Sequence, residues 1–215
     1  MAMESNNISQ SILRAGKALA AFAIVSSALV AITFSLTKDK IIENEKEALL
    51  KSLNQLIPQN DYDNNLHSDN ILIDAPTLNH RNKKITVYRA RKNNQPVAAI
   101  FSVIAPDGYN GAIKLLIAIN YDETLAGVRV IKHKETPGLG DAIDIQKSSW
   151  ISQFDNKSLV QPVSKNWRVK KDGGSFDQLT GATITPRAIV KITKKTLSYF
   201  GTHKSNVFKT GLENG

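Results

Sequence analysis

The chain has 215 residues, of which 41% are hydrophobic, so we expect one domain of ordinary size with a packed core, plus an accessory segment. The absence of cysteine excludes disulfides, thiolate zinc sites, iron–sulfur clusters and a cysteine nucleophile. The net charge of +9 indicates either a solvated basic surface or attraction to anionic lipids or an anionic cofactor. Basic residues are spread along the chain without a nucleic-acid-binding module, so nucleic acid is not expected as a partner.

An uncharged stretch predicts a single transmembrane helix after an N-terminal tail of residues 1–17. Residues 18–36 read ALAAFAIVSSALVAITFSL. At about 1.5 Å per residue they would cover about 28 Å, close to the ~30 Å of a bilayer core. A cleaved signal peptide is the alternative, but its apolar core is only about 7–15 residues long. We therefore expect an uncleaved anchor in the lipid bilayer, whose orientation the flanking charges leave open.

Residues 37–70 are predicted to form a linker helix and a loop. Between residues 41 and 57, Ile42, Leu49, Leu53 and Leu56 share one helical face. Pro58 ends this pattern, and the polar run 59–70 predicts a loop.

The region 71–203 is predicted to be the folded domain, followed by a C-terminal tail at 204–215. Short, turn-rich connections between its strand-like runs predict an antiparallel meander with one buried face, and the runs lie at 85–90, 96–105, 112–120 and 126–135. Helical spacing then joins Ile143, Trp150, Ile151 and Phe154, and residues 166–171 predict a strand. The last element is a helix over 186–200 with Ile189, Ile192, Leu197 and Phe200 in the core, ending at Gly201. The predicted fold class is α+β.

Two familiar kinds of site are not indicated by the residue spacing. The four histidines, at positions 67, 80, 133 and 203, lack metal-ligand spacing, so no metal site is expected. His133 fits a hydrogen-bonded strand residue better than a catalyst. The run GLGDAI has Ile143 where a dinucleotide fingerprint needs its third glycine.

The run FDQLTGATITPR, residues 176–187, places three threonines before a helix start. Pro186 suits the first turn and Thr185 the N-cap, so Thr183 would lie just outside a terminus that attracts anions. Gly181 allows positive φ, and Ala182 keeps the site free of bulk. Simple capping, with Thr180 and Thr185 as turn residues, remains the alternative.

A second loop, HKETPGLGDAI, leaves the last predicted strand. Its glycines would let backbone N–H groups approach a flat ligand while a leucine covers one face, and its candidate residues are Glu135, Thr136, Gly138, Leu139 and Gly140. Alone, this loop could equally be a turn.

Together these residues resemble the RnfG family, the membrane-anchored, FMN-binding subunits of the Rnf/Rsx electron transport complex. The related FMN-binding subunit of the sodium-pumping NADH:quinone reductase shares the pattern. The family motif, Asp-x-x-Ser/Thr-Gly-Ala-Thr, stands here without departure from Asp177 to Thr183. The loop GYNG at 108–111, which contains Tyr109, and the glycine loop also look like those of the family.

The resemblance implies an extracytoplasmic FMN-binding domain in which FMN is esterified to Thr183 by a flavin transferase that uses FAD. The protein would be an electron-carrying component that is not catalytic alone. It would be a single-pass protein of the bacterial inner membrane, with its domain on the periplasmic side and other Rnf/Rsx subunits as partners. The alternatives are an anchored sensor that binds a small anionic ligand, and an assembly protein without flavin.

Overall fold

The computed structural model describes residues 2–78 and 84–209, with side chains from Ile12 onward. His80 and the end of the predicted tail, 210–215, lie outside the described residues. The chain divides into two compact units, Met1–Ala48 and Leu49–Gly215.

The first helix, α1, runs without interruption over Ala2–Leu56, so the predicted anchor and the predicted linker helix are parts of one element. No glycine or proline lies between residues 37 and 56, so nothing breaks the backbone ladder there. The Thr37 hydroxyl donates to the Thr33 carbonyl at 2.8 Å, and Lys40 pairs with Glu43 at 2.8 Å. Pro58 follows the helix end, as predicted.

One helix in the described residues is long and apolar enough to cross a membrane, and it includes the predicted span. Its large apolar side chains are exposed: Leu19, Phe22, Ile24, Val25, Leu29, Val30, Ile32, Phe34 and Leu36. Full burial of one such side chain contributes about 1.5–3 kcal/mol, so leaving this many in water would be costly. A lipid environment removes that cost.

The second unit contains a five-stranded antiparallel sheet in the order β1-β2-β3-β4-β5. The strands are β1 Asn70–Ile73, β2 Ile85–Lys92, β3 Gln95–Ala105, β4 Ile113–Asn120 and β5 Leu125–Lys132. The predicted meander is confirmed for the last four. Strand β1 was not predicted, because it has only four residues and follows a polar run. Strand β5 ends at Lys132, so the chain leaves the sheet before Glu135.

Apolar side chains are buried on both faces of the sheet, so the predicted one-sided sheet is wrong. The larger cluster includes Phe101, Ile117 and Val128. A second cluster combines Tyr88, Ile100 and Leu116 with the last turn of α1, through Leu53 and Leu56. Neighbouring residues of one strand point to opposite faces, which explains why Leu115, Leu116 and Ile117 are all fully buried.

The long connection after β5 is built from short 3-10 helices, at Gly140–Ile143, Ser149–Phe154, Ser164–Asn166 and Lys170–Asp172. The apolar residues predicted at helical spacing are buried there, but no α-helix forms. The predicted strand at 166–171 is wrong. Trp167 and Val169 are buried as a strand would bury them, yet Val169 makes only an isolated bridge, to Phe176. Gly173, at φ +77°, ends the following 3-10 turn.

The last helix, α2, runs over Ile184–Phe208 and passes through Gly201, the residue predicted to end it. All four of its predicted core residues are buried. The helix continues because Val207 and Phe208 are buried as well, which outweighs the roughly 1 kcal/mol cost of a helical glycine. At its C-terminal end, Arg91 donates to the Phe208 carbonyl at 3.0 Å and Arg89 to the Lys209 carbonyl at 3.2 Å.

Candidate functional site

Three loops meet at the N-terminus of α2 and enclose a cavity of about 170 Å³, which we call the α2 cavity. They are the GYNG loop, the glycine loop after β5 and the threonine loop before α2. The lining residues are Tyr109, Glu135, Thr136, Leu139, Gly140, Gly181, Ala182, Thr183, Ile184 and Thr185.

The threonine loop turns sharply just before α2. The Ala182 N–H donates to the Leu179 carbonyl at 3.1 Å, which closes the turn. Gly181 has a φ of +77°, a backbone conformation that residues with a side chain rarely adopt. The turn itself therefore explains why a glycine stands at this position. Upstream, the Trp150 indole donates to the Asp177 carbonyl at 2.7 Å, while the Asp177 N–H donates to Gln153 Oε1 at 2.7 Å. The beginning of the motif is therefore held on both sides of its backbone.

Thr183 itself is the N-cap of α2, and its carbonyl accepts from the Arg187 N–H at 3.3 Å. Its hydroxyl makes no capping hydrogen bond. The first-turn N–H groups of a helix have no intrahelical partners and carry about half a positive charge. The Thr183 hydroxyl is therefore not engaged in capping. It lines the cavity beside a helix terminus that attracts anions.

The prediction of Thr185 as N-cap is wrong, because Thr185 is the second helical residue and is fully buried. Its hydroxyl donates to Glu135 Oε2 at 2.5 Å. The other carboxylate oxygen, Oε1, accepts from the Asn110 N–H at 3.1 Å. Glu135 is only 5% exposed, so these two bonds provide the pairing that a buried carboxylate requires.

Two glycines make room for the Glu135 carboxylate. A Cβ on Gly140 would lie 2.7 Å from Oε2, and one on Gly108 would lie 3.0 Å from Oε1. Gly140 was predicted to allow close approach to a ligand, and it also admits this side chain. Gly108 and Asn110 were not predicted as individual residues, although both stand in the GYNG loop that carries part of the resemblance.

The glycine loop touches the threonine loop through Leu139. A Cβ on Gly181 would lie 3.0 Å from Leu139 Cδ2. Three apolar or aromatic lining side chains remain exposed, namely Tyr109 at 66%, Leu139 at 46% and Ile184 at 45%. These side chains are available to cover a flat, largely apolar ligand. Ile184 was not predicted, because an isoleucine at a helix start looks like a core residue.

Residues 108–198 match the FMN-binding domain family, and residues 1–56 match the RnfG N-terminal region. A relative from Pseudoalteromonas atlantica, named as the G component of an ion-translocating oxidoreductase complex, is 44% identical over 204 residues, which cover 95% of each chain. The chain belongs to the RnfG family. Relatives of the same name from Vibrio atlanticus and Vibrio cholerae are 48% and 45% identical, over 86% and 89% of this chain and 88% and 91% of their own.

Three residues predicted from the RnfG motifs lie outside the lining of the α2 cavity. Asp177 is exposed, and its carboxylate pairs with the Lys170 ammonium at 2.5 Å. Thr180 is exposed in the turn. Gly138, at φ +77°, shapes the glycine loop, where its N–H donates to Asp141 Oδ1 at 2.7 Å.

The residues of the α2 cavity fit FMN, the ligand class of the matched domain family. Thr183 offers a hydroxyl and a helix terminus to the phosphate. The Thr136 hydroxyl accepts from Asn110 Nδ2 at 2.9 Å, which leaves its own hydrogen for a ligand oxygen. Ligand pockets commonly measure about 300–1,000 Å³. The α2 cavity is smaller, so it would hold only part of FMN, and the exposed side chains of Tyr109 and Leu139 would be available to cover the rest.

Proposed function

We propose that this RnfG-family protein holds FMN on Thr183 through a phosphodiester bond and passes electrons within a membrane-bound oxidoreductase complex. The observation that carries the proposal is the Thr183 hydroxyl, which caps no helix N–H, lines a cavity and stands at the N-terminus of α2. Family membership and the match to the FMN-binding domain support it.

Attachment requires a flavin transferase with FAD as donor. Thr183 Oγ1 forms a bond to the phosphorus of the FMN half, the bond from that phosphorus to the AMP portion breaks, and AMP leaves. The hydroxyl proton goes to a base. Glu135, the carboxylate that lines the cavity, already accepts from Thr185 and Asn110. We therefore assign the base to the transferase, which explains how a threonine without its own base can react.

Bound FMN supplies the electron chemistry, and the protein supplies position and environment. The phosphodiester would prevent loss of the cofactor, whatever its redox state. Leu139 and Ile184 would exclude water from the ring, and the Thr136 hydroxyl would orient a ring or ribityl oxygen. The α2 terminus would stabilise the remaining negative charge on the phosphate.

The attachment is tested by mass spectrometry of Thr183→Val, expressed in full length with the transferase. Loss of the flavin mass from the peptide that contains residue 183, and of flavin fluorescence on denaturing gels, is expected. Thr202→Val is the matched control, because Thr202 is exposed in the later part of α2 and should keep its flavin. Covalent flavin in Thr183→Val would refute the attachment site. Flavin released from the parent protein by denaturation would instead support the noncovalent binding module.

We further propose that residues 18–36 are retained as the anchor and that the domain lies on the periplasmic side of the inner membrane. Because the chain has no cysteine, a single introduced cysteine reports its own location. Val160, which is 81% exposed, is a suitable position. Val160→Cys should react with a membrane-impermeant maleimide in spheroplasts, whereas Ser5→Cys should react only after permeabilisation. The reverse pattern would place the domain in the cytoplasm, and N-terminal sequencing that begins after Leu36 would exclude the anchor.

A further inference from the structure

A strongly basic groove lies on the exposed side of α2, just after the N-terminal turn. It has a volume of about 360 Å³, and we call it the α2 basic groove. Its lining includes Val169 and Val190, which are themselves buried in the domain core. Its charged lining residues are Arg168, Asp172, Arg187, Lys191, Lys194 and Lys195.

The positive charge of this groove exceeds what its carboxylates compensate. Asp172 accepts from Arg187 Nε at 2.7 Å, a hydrogen bond that lowers the pKa of Asp172. Lys191 pairs with Asp107 at 2.6 Å. The Lys194 ammonium donates to the neutral Ser164 carbonyl at 2.6 Å, which leaves its charge in place. Five cations therefore face two carboxylates, and like charges gathered in this way repel unless a partner neutralises them.

We propose that the α2 basic groove docks an acidic segment of another protein of the same complex. This inference rests on the proposed role as an electron-carrying component. A concave surface of this volume admits one polypeptide segment, whose carboxylates can meet the exposed cations along it. A bilayer surface would favour a convex basic patch. Arg168 adds a planar guanidinium that can bind a carboxylate in a bidentate manner, whereas the guanidinium of Arg187 already binds Asp172 in this way.

The groove also has a suitable location. Arg187 follows Thr183 by four residues, about 6 Å along the helix axis. A partner protein seated in the groove would therefore lie beside the α2 cavity. Complementary charge would steer that partner toward this side of the domain and fix its orientation there.

The test uses the full-length chain within its complex, extracted gently from membranes. Lys194→Glu/Lys195→Glu reverses two charges of the groove, and Lys114→Glu/Lys132→Glu reverses two exposed charges paired across β4 and β5. At low salt, the groove variant should retain the other subunits roughly tenfold less well than the parent, and the control variant should retain them normally. Equal retention by the groove variant and the parent would overturn the proposal.

Three further measurements separate the remaining outcomes. Intact mass should show flavin on both variants, so a docking defect is distinguishable from failed attachment. Carbodiimide cross-linking of the parent chain, which joins the amines of Lys194 and Lys195 to carboxylates, should recover an acidic peptide of another protein of the complex, and cross-links only to a second copy of this chain would contradict the proposal. Vesicles of phosphatidylglycerol should bind both variants alike. A groove variant that loses vesicle binding but keeps its partner proteins would show that lipid occupies the groove.

Discussion

Thr185 and Glu135 share a 2.5 Å hydrogen bond in the protein interior, although 50 residues separate them in the chain. Thr185 belongs to the first turn of α2 and Glu135 to the loop after β5. The bond ties the helix that Thr183 precedes as N-cap to the glycine loop on the other side of the α2 cavity. The geometry of the site therefore depends on a long-range hydrogen bond that no local sequence motif predicts.

Replacing Thr185 by Val should leave Glu135 Oε2 without its donor in a buried position. Removing one partner of a buried hydrogen bond costs about 1–3 kcal/mol. Urea unfolding of the detergent-solubilised chain should show a loss of this size. Thr185→Ser keeps the hydroxyl and should lose less. Equal unfolding free energies for Thr185→Val and the parent would show that water replaces the hydroxyl.

Gly181→Ala and Gly138→Ala separate two costs of adding a side chain. Both glycines have a φ of +77°, so each alanine should cost about 1–2 kcal/mol in backbone strain. A Cβ on Gly138 meets nothing within 4 Å, whereas one on Gly181 lies 3.0 Å from Leu139 Cδ2. Gly181→Ala should therefore destabilise more in urea unfolding. The additional loss of unfolding free energy in Gly181→Ala, relative to Gly138→Ala, should be smaller in a Leu139→Ala background. If this additional loss is unchanged there, contact with Leu139 is not its cause.

Asp177→Ala should lower flavin attachment far more than stability. The Asp177–Lys170 ion pair is exposed, and such pairs contribute about 0–1 kcal/mol. Intact mass would give the flavin content and thermal unfolding the stability. Lys170→Ala removes the same ion pair but keeps the carboxylate, so it should retain attachment. Full attachment in Asp177→Ala would show that the transferase does not need the first motif residue.

Leu139→Ser should raise the reduction potential of the bound flavin. Removal of apolar cover admits water, which stabilises negative charge on the reduced ring. The phosphodiester at Thr183 would keep the cofactor in place, so spectroelectrochemistry can compare the variant with the parent. Tyr121→Ser, an exposed change outside the α2 cavity, is the control. An unchanged potential and flavin spectrum would mean that the glycine loop is only a turn.

Asp155 should make stability fall as pH rises. Burial raises the pKa of Asp155, and the charge of Arg129 only partly opposes this shift. The folded state then binds a proton more readily than the unfolded state, so the unfolding free energy decreases between the ordinary Asp pKa and the raised one. Asp155→Asn cannot titrate and should lack this decrease in urea unfolding across acidic pH. If the unfolding free energies of Asp155→Asn and the parent change equally with pH, Asp155 is not the cause of the decrease.

Local sequence pattern predicts some elements of this fold and misses others. Strands β2 to β5 are long, rich in β-branched residues and joined by short turns, so their pairing could be predicted. The four residues of β1 carry too little pattern. The end of α2 was misplaced because the burial of Val207 and Phe208 depends on distant strands, which outweigh the local signal of Gly201. At the site, every lining residue except Ile184 was predicted as a candidate, since the loops carry family motifs. The role of Thr185 was not predictable, because its partner is set by the tertiary fold.

Helix α2 is held at both ends by hydrogen bonds to residues that lie outside the helix. Glu135 accepts from Thr185 in the first turn, and Arg91, itself 9% exposed, donates to the Phe208 carbonyl at the last residue of the helix. Translation or rotation of α2 along its axis would break at least one of these two buried hydrogen bonds. A group attached to Thr183 would therefore keep a fixed position relative to the sheet. Its distance from a neighbouring redox centre would then be set by the fold of the domain.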